Sequence, residues 1–189
     1  MELDPDSVDS MYRTLSTAVV PRPIAWVSST DGETDNLAPY SFFNVVGIDP
    51  PVVMFAPASM KDTPRNAVET EEFVVNVVTP DLAESMNASS ATLPSDASEF
   101  DHAGVERAPS VVVDAPRVGA SPISFECVLY DTVEVGTSTM VLGEVVYAHV
   151  DDELLTDGKL DVEKFDALGR LAGSQYTYTR ERFGLERPD

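Results

Sequence analysis

The chain has 189 residues, 43% of them hydrophobic, a size and composition typical of a globular protein with one sizeable core. Its 33 acidic and 12 basic residues give a net charge of −21, and a surface so acidic repels nucleic acids and anionic membranes. The single cysteine, Cys127, excludes an internal disulfide and a cysteine-based metal cluster. No apolar run is long enough to span a membrane. The acidic N-terminus lacks the apolar region of a signal peptide, so we expect a cytoplasmic protein.

The acidic residues are spread along the chain, and only three of the basic residues are lysines: Lys61, Lys159 and Lys164. This pattern favours a solvated surface adapted to high salt, where ions screen the repulsion between like charges. A specific cationic partner is the alternative. The low lysine content therefore predicts a halophilic source.

In chain order, the first predicted elements are short strands. Tyr12–Val20 is interpreted as a strand that leads into the kink Pro21-Arg22-Pro23. Ile24–Ser29, which reads IAWVSS, is predicted as a second strand. Thr30–Asp35 is predicted as a turn because it contains the dipeptide Asp31-Gly32.

The stretch Asn36–Asn66 is the most informative part of the sequence. Ala38–Ile48 is uncharged and rich in aromatic and β-branched residues, which predicts a strand. The turn Asp49-Pro50-Pro51 ends it, because proline cannot donate to a strand ladder. Val52–Ala56 is apolar without alternation and is predicted to be a strand buried on both faces.

The next segment, KDTPRN, predicts the start of a helix and a possible anion site. Thr63 or Asp62 can cap a helix that begins at Pro64, where the missing N–H is harmless. Lys61 and Arg65 flank this helix N-terminus, a combination that suits a phosphate group. The alternative is an ordinary capped helix whose two cations balance nearby acidic residues.

The remaining pattern predicts a mainly β fold with a few short helices. Six to eight short strands do not alternate with helices as in a parallel sheet, so a closed antiparallel barrel is favoured. The further predicted elements are a strand at Glu71–Val78, a helix after Thr79-Pro80-Asp81, a helical turn around Ala97–His102, a strand at Ile123–Glu134 with a hairpin partner at Met140–Val150, and a short helix near Val162–Leu168.

Conventional catalytic sets are missing from the sequence. His102 and His149 have no second histidine or cysteine at ligand spacing, so we predict no metal site. We expect His149 to have a structural role near a carboxylate. There is no nucleotide-binding glycine motif and no complete nucleophile elbow, so we predict no catalytic protein residue. What remains is a phosphate-like site beside an aromatic-rich strand, which a phosphorylated aromatic cofactor would satisfy.

Seven segments occur here in one order, and together they resemble the flavin reductase-like family of FMN-binding split β-barrels, in its flavoredoxin-like branch. The resemblance covers about residues 12–176 of a predicted single domain, 1–189. The segments are RPIAWVSS (Arg22–Ser29), NLAPYSFFN (Asn36–Asn44), DPP (Asp49–Pro51), KDTPRN (Lys61–Asn66), EFVVNVV (Glu72–Val78), GEVVYAHVDD (Gly143–Asp152) and GRLAGSQY (Gly169–Tyr176).

The resemblance implies a Greek-key split barrel, an FMN cofactor and a homodimer with FMN near the subunit interface. It also implies a set of cofactor-binding residues in four segments. These are Ser28, Ser29 and Thr30 beside the flavin, Asn36, Ala38, Pro39, Tyr40 and Ser41 along the ring and ribityl chain, Lys61, Asp62, Thr63 and Arg65 at the phosphate, and Gly173 and Tyr176 near the C-terminus.

The implied activity is that of an oxidoreductase in which NAD(P)H passes a hydride to flavin N5 and the flavin carries the redox chemistry. One departure concerns the hairpin Gly136-Thr137-Ser138, where many flavin reductases carry Gly-Asp-His, a histidine associated with nicotinamide use. The alternative is therefore an FMN electron-transfer protein reduced by a protein partner. A barrel that has lost its flavin is a third reading, which the intact APYS and KDT segments argue against.

Overall fold

The structure is a computed structural model that describes residues 2–188. In this range the chain forms four α-helices and fourteen strands. The helices are α1 (Tyr12–Ala18), α2 (Asp62–Glu69), α3 (Ala83–Ala88) and α4 (Glu99–His102). The strands are β1 (Arg22–Pro23), β2 (Ala25–Thr30), β3 (Asp35–Tyr40), β4 (Phe43–Ile48), β5 (Pro51–Phe55), β6 (Glu72–Val77), β7 (Arg107–Ala108), β8 (Arg117–Val118), β9 (Ile123–Val135), β10 (Ser138–Val150), β11 (Leu155–Thr156), β12 (Lys159–Leu160), β13 (Leu168–Arg170) and β14 (Tyr176–Tyr178).

The main sheet has seven antiparallel strands in the order β3-β2-β6-β9-β10-β5-β4. Its two edge strands, β3 and β4, are consecutive in the chain and are separated only by Ser41 and Phe42. The sheet must therefore curl until its edges meet, which makes a barrel with a split between β3 and β4. After β2 to β5 the chain returns to place β6 beside β2, a Greek-key connection. The predicted mainly β split barrel is confirmed.

One hydrophobic core fills the barrel, and a second lies between the outer face of β2 and the helices α3 and α4. Successive side chains of β2 point to opposite faces, so Ala25 and Val27 fill the barrel while Trp26 packs outward. Trp26 is fully buried against α3 and α4, and its indole Nε1 donates to Ser89 Oγ at 2.8 Å. This bond anchors the segment after α3 against the outer face of β2.

The prediction of a strand at Tyr12–Val20 is wrong, because this segment contains α1. A side chain just beyond the helix stabilises its end: the buried guanidinium of Arg22 donates through Nη1 to the carbonyl oxygens of Ser16 and Val19, both at 2.6 Å. A cation at the carbonyl end of a helix is stabilising. Arg22 Nη2 also donates to Leu171 O at 2.8 Å, so the same side chain joins α1 to the C-terminal segment.

Two further elements differ from the sequence prediction. The single strand predicted at Ala38–Ile48 is two strands, because the chain passes from one edge of the sheet to the other at Ser41 and Phe42. The short helix expected near Val162–Leu168 is a 3-10 turn at Val162–Lys164, after which Leu168 begins β13.

The long hairpin predicted from Ile123–Glu134 and Met140–Val150 is confirmed by β9 and β10, which pair from Val135 and Ser138 down to Ile123 and Val150. The proline turn between β4 and β5 and the strand β6 are also confirmed. Among residues 2–188, no helix has the length and apolar character needed to cross a membrane.

Candidate functional site

Two adjoining cavities lie along β3, and they share Pro39 and Ser90 in their walls. The α2 cavity, of about 180 Å³, lies where β3 meets the start of α2. The Arg170 cavity, of about 290 Å³, continues toward the C-terminal strands. The α2 cavity is lined by Ala38, Pro39, Tyr40, Lys61, Asp62, Thr63, Ser89, Ser90, Ala91, Thr92, Leu93 and Glu99. The Arg170 cavity is lined by Ile24, Pro39, Ser41, Met86, Asn87, Ser90, Arg170 and Tyr176.

The start of α2 differs in detail from the prediction. Lys61 is the N-cap residue, the helix begins at Asp62, and no side chain of the described residues caps it. Thr63 and Asp62 are therefore not the cap, and Pro64 is the third helical residue. The first N–H groups of a helix have no partner within the helix, so an uncapped start leaves them free to bind another acceptor.

The charges at this helix start are distributed unevenly. Arg65 Nη2 lies 2.7 Å from Asp62 Oδ1, so this arginine is paired within the helix. Lys61 Nζ reaches across the cavity and donates to Thr92 Oγ1 at 3.1 Å. The cation that remains at the cavity wall is therefore Lys61.

Tyr40 closes the inner side of the α2 cavity. Its ring packs on Phe55 of the barrel core, with 4.9 Å between the ring centroids. Burial raises the pKa of the Tyr40 phenol above its usual value, and the nearby carboxylates of Glu99 and Asp62 raise it further against the effect of Thr63. The hydroxyl therefore stays protonated at neutral pH.

Glu99 is a buried carboxylate in the wall of the α2 cavity. Its Oε2 accepts hydrogen bonds from the backbone N–H of Leu37 at 3.0 Å and from Asn36 Nδ2 at 3.1 Å. Asn36 in turn accepts a bond from Asn66 Nδ2 of α2 at 2.9 Å. A buried polar network thus connects α4, β3 and α2 behind the cavity.

The Arg170 cavity is built from the C-terminal segment GRLAGSQY. The guanidinium of Arg170 lies over the ring of Tyr176, 4.6 Å from its centroid, and donates to the Tyr176 hydroxyl and the Gly173 carbonyl. Gly173 has a φ of 58°, which glycine adopts without strain. The turn thereby presents a positive charge and a phenol side by side.

A third, apolar cavity of about 520 Å³ shares Ser41 with the Arg170 cavity. Ser138, the first residue of β10, lies at its rim, so the β9–β10 hairpin reaches this part of the site. Large apolar side chains form much of its wall: Leu15, Val19, Phe42, Phe43, Met54 and Met140.

The structure gathers eight of the fourteen predicted cofactor residues at the two cavities along β3. They are Ala38, Pro39, Tyr40, Ser41, Lys61, Asp62, Thr63 and Tyr176. The other six do not line these two cavities: Ser28, Ser29, Thr30, Asn36, Arg65 and Gly173.

The residues outside the cavities have other contacts. Ser28 is buried and donates to Pro116 O at 2.5 Å, and Ser29 is buried without a hydrogen-bond partner among the described residues. Thr30 accepts a bond from the Gly32 N–H at 3.1 Å. Asn36 and Gly173 support cavity-lining residues from behind, through Glu99 and Arg170 respectively.

Sequence reasoning did not select Glu99, Ser90, Thr92, Asn87 or Arg170. Four of these five lie in or next to polar segments between strands. In such segments, composition alone does not distinguish a residue that lines a cavity from one that is exposed to solvent in a loop. Arg170 lies inside the GRLAGSQY segment, so its proximity to Gly173 and Tyr176 was the available signal.

Cys127 and His149, two side chains that are often catalytic in enzymes, belong here to the packed barrel and do not line the cavities along β3. Burial in the barrel core, together with the charge of Glu126, raises the pKa of the Cys127 thiol, which makes it unreactive. His149 Nε2 lies 2.6 Å from Glu126 Oε1, which confirms the expected place near a carboxylate. Among residues 2–188, no three histidine, cysteine or acidic side chains are grouped for a metal ion.

The class of protein follows from sequence comparison, in agreement with this fold: residues 16–182 match the flavin reductase like domain family, and the chain belongs to that family. A crystal structure of nitrilotriacetate monooxygenase component B from Bacillus cereus is 32% identical and superposes with a TM-score of 0.93, covering 98% of both chains. A crystal structure of 2-nitrobenzoate 2-nitroreductase from Pseudomonas fluorescens is 36% identical, with a TM-score of 0.93 over 100% of this chain and 96% of the other.

The chain is also similar to a protein of undescribed function and, more distantly, to a flavoredoxin. An uncharacterized protein from Halalkalibacterium halodurans is 38% identical over 100% of this chain and 97% of its own length. A flavoredoxin from Desulfovibrio vulgaris is 21% identical with a TM-score of 0.80, which supports the shared fold.

Proposed function

We propose that this protein is an FMN-binding oxidoreductase that uses NAD(P)H, that is, a flavin reductase of the split-barrel type. The observation that carries the proposal is the continuous groove along β3. It begins at the uncapped start of α2 with Lys61, passes Tyr40 and Pro39, and ends at Arg170 and Tyr176. Its polar and aromatic walls match the two halves of a phosphorylated aromatic cofactor.

The phosphate fits best at the start of α2. Lys61 supplies the charge, the first turn of α2 has no side-chain cap and its residues Asp62 and Thr63 line the cavity, and the hydroxyls of Thr63 and Thr92 are additional donors. In a chain with only three lysines, one at this helix start is a specific electrostatic feature. We therefore assign the phosphate to the α2 cavity.

The flat, apolar part of the cofactor fits toward the other end of the groove. Pro39 and Tyr176 offer apolar surface, and the apolar cavity continues beyond Ser41 with enough space for a second aromatic group. When bound, FMN would supply the redox chemistry as the acceptor of a hydride from NAD(P)H. The protein binds and orients both molecules and excludes water. No protein acid or base is required, in keeping with the prediction of no catalytic side chain.

The named relatives support this class of chemistry. One is a component of a monooxygenase and the other a nitroreductase, and both are more than 30% identical to this chain over nearly its whole length.

We further propose one domain over residues 1–189, a cytoplasmic homodimer, and a cofactor close to the subunit interface. The exposed apolar side chains around the apolar cavity, including Leu15, Val19 and Phe42, support such an interface.

The test is the absorbance spectrum of the purified protein in high-salt buffer. We expect a flavin band that bleaches under anaerobic conditions on addition of NADH or NADPH. A colourless protein that binds no added FMN would contradict flavin binding altogether.

A second candidate is an FMN electron-transfer protein that receives electrons from a protein partner. The observation in its favour is the rim of the apolar cavity, where Ser138 stands in the place associated with a histidine in many flavin reductases. A flavin band that dithionite bleaches, while both nicotinamide nucleotides leave it unchanged, would select this candidate over the first.

A further inference from the structure

Glu99 lines the α2 cavity and has one carboxylate oxygen bonded by protein donors and one without a protein donor among the described residues. The side chain is more than nine-tenths buried, with the residue 8% exposed. Both bonds that it accepts, from Leu37 N–H and Asn36 Nδ2, go to Oε2. Oε1 accepts no hydrogen bond from the described residues, and Glu99 forms part of the cavity wall.

A carboxylate in a largely buried wall is stabilised by donors, and Oε1 is not among the buried polar atoms without a partner, so it is open to a donor from the ligand. Lys61 Nζ in the same cavity donates to Thr92 Oγ1 and makes no hydrogen bond to Glu99. A phosphate cannot serve at Glu99, since its oxygens are acceptors and its charge has the same sign. A hydroxyl group can serve, because it donates one hydrogen bond and carries no charge.

The orientation of Glu99 is set from behind the cavity. Leu37 and Asn36 hold Oε2 in place, and Asn66 of α2 holds the Asn36 amide at 2.9 Å. The carboxylate is therefore positioned relative to the start of α2, where the phosphate is assigned. A ligand that reaches both sites needs a hydroxylated segment next to its anionic end.

We propose that Glu99 Oε1 accepts a hydrogen bond from a hydroxyl of the polyol chain that links the flavin ring to its phosphate. Glu99 is thus a specificity-determining residue that selects flavins with a polyol chain over flavins without one. The inference rests on the proposed function, because it assumes that the groove binds flavin.

The test is a fluorescence titration of the flavin-free full chain with three ligands: FMN, riboflavin, which lacks the phosphate, and lumiflavin, which lacks the polyol chain as well. For the unaltered protein we expect riboflavin to bind at least about tenfold more tightly than lumiflavin, the effect of a hydrogen bond to a charged group. For Glu99→Gln we expect the affinities for FMN and riboflavin to fall by about tenfold while that for lumiflavin stays the same.

Two matched variants separate the roles. Glu84→Gln makes the same charge change on the exposed face of α3, outside the cavities, and leaves all three affinities unchanged. Lys61→Ala lowers the affinity for FMN alone.

Three results would overturn the proposal: an unchanged riboflavin affinity in Glu99→Gln, an equal loss for riboflavin and lumiflavin, or equal affinities of the unaltered protein for these two flavins. The last comparison needs no variant, so equal affinities for riboflavin and lumiflavin would contradict the proposal even if Glu99→Gln does not fold. Failure of the unaltered protein to bind any flavin would instead contradict the proposed function, and the inference with it.

Discussion

Gly143 of β10 lies directly against the ring of Phe73 of β6 in the barrel core. A Cβ atom built on Gly143 would come within 2.2 Å of Phe73 Cζ and 3.0 Å of Cys127 Cβ. Phe73 and Cys127 are both fully buried, so neither has free space into which it can move. Position 143 of β10 therefore has no space for a side chain, and glycine is the residue that fits there.

The first prediction concerns this contact. Gly143→Ala is expected to lower the free energy of unfolding by about 1–3 kcal/mol, because overpacking forces side chains or backbone out of place. Denaturant unfolding measures the change. Gly184→Ala is the matched control, since a Cβ there meets no atom within 4 Å. If Phe73→Leu in the Gly143→Ala background restores no stability, the clash with this ring is not the cause.

The second prediction concerns the phosphate. Lys61→Ala combined with Thr63→Ala is expected to weaken FMN binding by about tenfold or more, because a charge-assisted donor and a hydroxyl donor are removed together. Fluorescence titration measures the affinity, with riboflavin as the ligand that should be unaffected. Lys159→Ala, an exposed lysine on β12, serves as the control. Equal FMN content in the double variant and the unaltered protein would locate the phosphate elsewhere.

The third prediction concerns the buried Glu126 and its dependence on pH. Burial would raise the pKa of this carboxyl, but hydrogen bonds from His149 and from the backbone N–H groups of Val111, Val112 and Val113 outweigh it. The net result is a pKa below its ordinary value. These bonds fasten the loop before β8 to the outside of the barrel.

A carboxyl whose pKa is lowered by folding stabilises the folded protein fully at any pH above its unfolded pKa, which is about 4.3 for glutamate. This stabilisation is lost as the pH falls through the lower folded pKa. We therefore expect the free energy of unfolding to fall less steeply with acidification in Glu126→Gln than in the unaltered protein. Urea unfolding between about pH 6 and pH 3 measures both slopes. Glu134→Gln, an exposed carboxyl on the same strand, should keep the original slope.

The fourth prediction concerns salt. With a net charge of −21, repulsion between surface carboxylates destabilises the compact state, and added salt screens it. The midpoint of thermal unfolding is expected to rise when NaCl is increased from about 0.1 M to 1 M, over which range the screening length falls from about 10 Å to 3 Å. An unchanged or lower midpoint would argue against adaptation to high salt.

Much of the fold was accessible from local sequence patterns. The prolines after Ile48 and the alternation of Ile123, Phe125, Cys127 and Leu129 act over a few residues, and the strands that they predicted are confirmed. The strand prediction for Tyr12–Val20 failed because its local pattern resembles a strand, while its helix end is held by Arg22, which is itself bonded to Leu171 of the C-terminal segment. Secondary structure that depends on such distant contacts leaves no local signal.

For the candidate site too, some features follow from local sequence and others depend on contacts between distant residues. The sequence of KDTPRN predicted a helix start with a lysine beside it, and the order of seven segments predicted the family. The open oxygen of Glu99 and the stacking of Arg170 on Tyr176 could not be read from residue types, because both depend on side chains brought together by folding.

The sequence by itself determined the charge of the surface, the strand-rich class and the family, since these depend on composition and on short ordered motifs. Only the tertiary structure decided which polar residues face a ligand. Asn36 and Glu99 lie 63 positions apart in the chain, yet the closing of the barrel turns one into a buried support and the other into a wall of the cavity. The physical reason is that burial and hydrogen bonding are properties of the packed chain, so they are set only when β3, α2 and α4 meet.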